Sequence, residues 1–95
     1  MWPVFAETSV VLSGDSRRYE HHSDESGRRV HLFFCPRCGA TVYSRWQEDK
    51  GEIALLGGTF DETGWITVDR HAWTRSKQHW FSLPPGAVAF PKSSR

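Results

Sequence analysis

The sequence predicts a small, mainly β protein of antiparallel strands, with at most one short helical turn. Three observations predict it. Apolar residues recur with a period of two. Short runs rich in β-branched and aromatic residues are bounded by clusters of Gly, Ser and Asp. A Cys-x-x-Cys-Gly motif at 35–39 lies between two such runs, so it tips a hairpin.

Taken in order, Val10-Val11-Leu12-Ser13-Gly14-Asp15 reads as a strand ending in a turn, and Arg18-Tyr19-Glu20-His21-His22 as the next. Ser23-Asp24-Glu25-Ser26-Gly27 is a polar loop. Val30 to Phe34 and Ala40 to Trp46 form the hairpin around the cysteines. Glu52 to Gly57 is apolar on both faces, so it is expected near the middle of a sheet, entered through a turn at Gln47 to Gly51. A sixth strand is expected at His71 to Thr74, and one helical turn at Lys77 to Phe81, before Pro84-Pro85-Gly86 stops it. Residues 3–91 form one domain and 92–95 a tail.

Cys35 and Cys38 are the candidate metal ligands. In a knuckle of this spacing the chain doubles back, both sulfurs face one point, and backbone N–H groups point at the thiolates. Pro36 suits the first inner position of the turn, and Gly39 suits the left-handed backbone that follows it. Zinc is the metal expected, and it takes four ligands. Free or relict thiols and a redox pair are the competing uses. A redox Cys-x-x-Cys normally opens a helix, which lowers the thiol pKa, whereas strands flank this pair. The chain holds only two cysteines, so the site is incomplete within it.

The histidines, at 21, 22, 31, 71 and 79, offer little to complete it. A strand advances about 3.3 Å per residue, which puts His31 roughly 13 Å from Cys35. Alternation places Val30, Leu32 and Phe34 on the core face and leaves His31 on the other, partly covered. His21 and His22 point to opposite faces if extended, so at most one reaches any metal. His71 and His79 are expected to pack near Trp73 and Trp80.

Charge excludes other classes. Twelve basic and eleven acidic side chains leave a net charge of +1, so the footprint of a nucleic-acid-binding protein is absent. No apolar run approaches membrane-spanning length, and Met1-Trp2-Pro3 does not open a signal peptide. Two closely spaced cysteines suit a reducing compartment, so a cytoplasmic protein is expected. Trp46, Trp65, Trp73 and Trp80 read as core before they read as a ligand groove. Gly57-Gly58-Thr59 is a strand end and no phosphate loop, since no lysine follows. Asp61-Glu62 is a solvated turn before it is an acid–base pair.

The series Phe34-Cys35-Pro36-Arg37-Cys38-Gly39-Ala40, Gly57-Gly58-Thr59-Phe60-Asp61, His71-Ala72-Trp73 and Trp80 resembles the C-terminal part of the glutathione-dependent formaldehyde-activating enzyme and centromere protein V family. Ser9 to Gly14 with Tyr19 resembles that family's strand pair ahead of the knuckle. The resemblance covers about residues 3–91 and implies small β-sheets arranged as a tent around zinc. It implies a carbon–sulfur lyase, which forms S-hydroxymethylglutathione from formaldehyde and glutathione or handles another small thiol. Only Cys35 and Cys38 carry over, as two of four structural-zinc ligands. The upstream cysteines that complete that site and hold a second, catalytic zinc have no counterpart here, so no catalytic residue carries over and whether the chain is active stays open. Three explanations stay open: an abbreviated product or misplaced start, a half-domain that lost its metal, or a protomer sharing zinc in a homodimer. A non-catalytic interaction module of the same fold is the alternative function.

Overall fold

The computed structural model describes residues 1–24, 26–47 and 51–93. The chain divides into two compact units, Met1–Gly64 and Trp65–Arg95. In the first, β1 (Val4–Ala6), β2 (Arg17–His22), β3 (Arg29–Phe34), β4 (Thr41–Trp46) and β5 (Glu52–Leu55) form one antiparallel sheet in the order β1-β5-β4-β3-β2. Among the described residues the helical elements are single 3-10 turns, at Glu7–Ser9 and Gly57–Thr59 in this unit and at Thr74–Ser76 in the other. The mainly β class therefore holds, with the strands joined in one sheet. Among the described residues no helix is long and apolar enough to cross a membrane.

Period-two alternation sorts the two faces. One cross-strand row runs Val4, Ala54, Ser44, Leu32, Tyr19. On the opposite face Leu55, Tyr43, Phe33 and Arg18 follow one another, and the Phe33 and Tyr43 rings stack at 4.4 Å. Among the described residues the core is thin: Ile53 and Ala54 are its buried apolar side chains, with Ser44 buried beside Ala54. Both apolar ones lie on β5, flanked by strands on each side, which is why that run is apolar in both directions. Burying Ile53 contributes about 1.5–3 kcal/mol. Edge strand β2 is exposed along its whole length and carries Arg17, Arg18 and Glu20, charges that discourage edge-to-edge pairing.

Several expectations need correction. Val10 to Asp15 forms no strand, and Val11 is 94% exposed. The free edge of β5 is taken instead by Val4–Ala6, with Phe5 opposite Ile53, so the Val10 run has no ladder to join. The polar loop is a turn closed by the Ser23 N–H donating to the Arg28 carbonyl at 2.9 Å. Most of the expected turn at Gln47 to Gly51, namely 48–50, lies outside the described residues, as does Glu25.

In the unit Trp65–Arg95, His71 makes a single parallel bridge to Ala89 in place of a sixth strand. Its N–H donates to the Val88 carbonyl and its carbonyl accepts from the Phe90 N–H, both at 2.8 Å. The segment expected as one helical turn, Lys77 to Phe81, holds a turn closed by the Phe81 N–H donating to the Gln78 carbonyl at 3.0 Å, and a 3-10 turn at Thr74–Ser76 precedes it, after Trp73 in a left-handed backbone (φ 58°). The core reading of the tryptophans fails for Trp65, Trp73 and Trp80, which are 53%, 42% and 70% exposed. The described residues of this unit hold one bridge and a few turns, with no second sheet or helix of their own to pack on these rings. Trp46, on β4, is half-buried, in line with the core reading.

Candidate metal centre

The knuckle is the connection between β3 and β4. The two strands pair from Val30 opposite Trp46 to Phe33 opposite Tyr43, and the register shifts between Phe33 and Phe34. The ladder is carried into the loop by the Cys35 N–H, which donates to the Ala40 carbonyl at 2.9 Å. The Gly39 N–H then donates to the Cys35 carbonyl at 2.9 Å and closes the loop on itself. That closure requires φ of 79° at Gly39, a left-handed conformation open to glycine. Pro36, Arg37, Cys38, Gly39 and Ala40 are all exposed, and Cys35 is half-buried beneath them.

The backbone N–H of Cys38, and next that of Arg37, point at the Cys35 sulfur, and the Cys38 thiol hydrogen-bonds to it. These donors hold the Cys35 thiol below the ordinary cysteine range, against a smaller opposing effect of burial. Neither cysteine is in a disulfide. Backbone hydrogen bonding that favours the Cys35 thiolate is the electrostatic setting in which a soft cation is bound by cysteine. Among the described residues no group of three or more His, Cys, Asp and Glu side chains could hold a metal.

His31 lies in the body of β3, where it meets Glu20 across the sheet. Its Nε2 stands 3.1 Å from Glu20 Oε1, and Arg29 Nη1 lies 3.9 Å from the same oxygen. The hydrogen bond from His31 is the largest cause that keeps the Glu20 carboxyl below its ordinary range, and the charges of Arg29, His31 and Arg18 add to it. His31 is partly covered, as alternation predicts, and its partner is a carboxylate. Sequence reading missed this pair, since Glu20 and His31 become neighbours only once the β2–β3 register is known. Arg45 of β4 pairs with Glu7 and lies 5.9 Å from the centre of the Tyr43 ring. A groove of about 190 Å³ opens beside them, lined by His31, Arg45, Trp46, Gln47 and Glu52.

The other singled-out residues are not assembled into a site. His21 and His22 end the exposed edge strand β2. Gly57-Gly58-Thr59 forms the 3-10 turn that follows β5, a strand end. Asp61 and Glu62 are exposed.

The sequence profile of the glutathione-dependent formaldehyde-activating enzyme family matches residues 2–76, more than three-quarters of the 95-residue chain. No curated protein matches it.

Proposed function

The chain belongs to the glutathione-dependent formaldehyde-activating enzyme family, and from that membership we propose that it is a zinc-binding relative of carbon–sulfur lyases. Cys35 and Cys38 hold the metal. The observation that carries this reading is the pair of backbone N–H groups, from Cys38 and Arg37, directed at the Cys35 sulfur. Bound there, zinc ties the β3–β4 tip together and adds stability to a fold with a thin core.

Glutathione is the thiol the family implies, and a small thiol is the ligand we assign. In the family's reaction the thiol sulfur bonds to the formaldehyde carbon, and the carbonyl oxygen takes up the proton that the thiol releases. Efficient catalysis needs a group that polarises that oxygen or activates that sulfur. The two cysteines are engaged with each other and with the knuckle backbone, and no third metal-ligating side chain joins a cluster with them among the described residues. The 95-residue chain by itself is therefore assigned no turnover. The paired thiols suit a reducing cytoplasm.

Exposed tryptophans favour a second reading. Trp65 and Trp80, with Trp80 and Phe81 in an edge-to-face pair at 6.4 Å, give the Trp65–Arg95 unit aromatic anchors of the kind used in protein interaction modules. Carbon-13 formaldehyde mixed with glutathione and followed by NMR decides between a working lyase and either non-catalytic role. The zinc-loaded chain is expected to leave the rate of S-hydroxymethylglutathione formation at its protein-free value. Acceleration that disappears in Cys35→Ser would overturn the assignment of no turnover.

A further inference from the structure

Strand β2 closes one side of the sheet, and among the described residues no strand pairs with its outer edge. All of its residues, Arg17–His22, are exposed. Antiparallel pairing turns the main chain of alternate residues toward the neighbouring strand and that of the others away from it. The Ser23 N–H donates to the Arg28 carbonyl at 2.9 Å, next to His22 opposite Arg29. By alternation from that pair, Arg17, Tyr19 and His21 bond to β3. The Gln47 N–H, which donates to the Arg29 carbonyl at 3.0 Å on the far side of β3, fixes the same phase. The N–H and C=O groups of Arg18, Glu20 and His22 are therefore directed outward, at the spacing an added strand needs.

The side chains select what that strand carries. On one face Arg17, Tyr19 and His21 stand in a row, and Tyr19 is 57% exposed. On the other, Arg18 and His22 flank Glu20, whose carboxylate is taken up by His31 at 3.1 Å and Arg29 at 3.9 Å. Asp15 and Asp24 lie beyond the two ends of the strand. The edge itself thus offers two guanidinium groups and two protonatable imidazoles, with its one carboxylate already paired. Such charges oppose a second basic edge and favour acidic side chains directly across from them. We propose that the outer edge of β2 takes up an acidic peptide segment in extended form, added as a further strand, with Asp or Glu opposite Arg17 and Arg18 and an apolar side chain opposite Tyr19. A peptide fits better than a nucleic acid, because the outward groups are donors and acceptors alike and a phosphate backbone supplies acceptors alone. Neither the cysteines nor a metal takes part.

The test titrates a peptide of alternating Glu and Val into the nitrogen-15-labelled 95-residue chain and follows its amide NMR signals. The expected result is shifts centred on Arg18, Glu20 and His22, slowed hydrogen exchange at their N–H groups, and binding that weakens as salt is raised. Arg17→Glu combined with Arg18→Glu changes exposed side chains alone and should weaken binding by about tenfold. No shifts at β2, or equal binding by a peptide with Lys in place of Glu, overturns the proposal. Unchanged affinity for the same peptide with its amides N-methylated, which keeps the charge and loses the ladder, overturns it as well. Tighter binding of oligothymidylate at the same residues assigns the edge to nucleic acid and overturns the peptide.

Discussion

Gly39→Ala perturbs the backbone that closes the knuckle and nothing else nearby. A Cβ built at Gly39 meets no heavy atom within 4 Å, so the substitution adds no clash with a neighbour. The whole effect lies in φ of 79°, which an alanine adopts at a cost of about 1–2 kcal/mol. The stiffer unfolded chain offsets about 0.4–1 kcal/mol of that, leaving a net loss of about 1 kcal/mol. For a domain of this size such a loss lowers the melting temperature by about 4–8 °C. Relaxing φ moves the Gly39 N–H away from the Cys35 carbonyl and turns the Cys38 N–H and thiol from the Cys35 sulfur, so zinc affinity falls as well. Gly14→Ala is the control, because φ there is 85°, the space is equally open and the site is remote in sequence from the cysteines. Paired thermal melts and zinc titrations by competition with a chromogenic chelator read both quantities. Both variants should lose stability, and only Gly39→Ala should lose zinc affinity. An unchanged melting temperature and unchanged affinity in Gly39→Ala would refute the reasoning.

Two other variants test separate parts of the account. Ile53→Ala removes the largest fully buried side chain among the described residues and should cost about 2–5 kcal/mol, read by urea denaturation; a loss under about 1 kcal/mol would show that β5 is not the core. The Glu20 carboxyl should titrate below the ordinary glutamate range in carbon-13 NMR and rise toward it in His31→Ala. Because its folded pKa is depressed, its contribution to stability is present above the unfolded pKa and is lost as pH falls through the folded one. Titration at the same pH in both proteins would dissolve the His31–Glu20 pair.

What the sequence made legible was local. Strands β2 to β5 announce themselves by alternation and by the turns between them, and Cys35-Pro36-Arg37-Cys38-Gly39 contains within five residues all the geometry its turn needs. What it hid depends on partners distant in the chain. Val10-Val11-Leu12 has better β propensity than Val4-Phe5-Ala6, yet the free edge of β5 takes the latter, and propensity says nothing about which segment a ladder will accept. The tryptophans misled for a related reason. Apolar character gives a side chain a reason to be covered, but Trp65, Trp73 and Trp80 sit in a unit held by a single bridge and a few turns, which has no layer to cover them. Glu20 and His31, eleven residues apart, meet only through the hairpin register.

Zinc K-edge X-ray absorption on the zinc-loaded chain, with Cys35→Ser alongside, tests most directly whether Cys35 and Cys38 hold the metal. The account predicts a sulfur shell at about 2.3 Å that is lost in the variant. A shell of nitrogen and oxygen alone at about 2.0 Å, the same in both proteins, would contradict it.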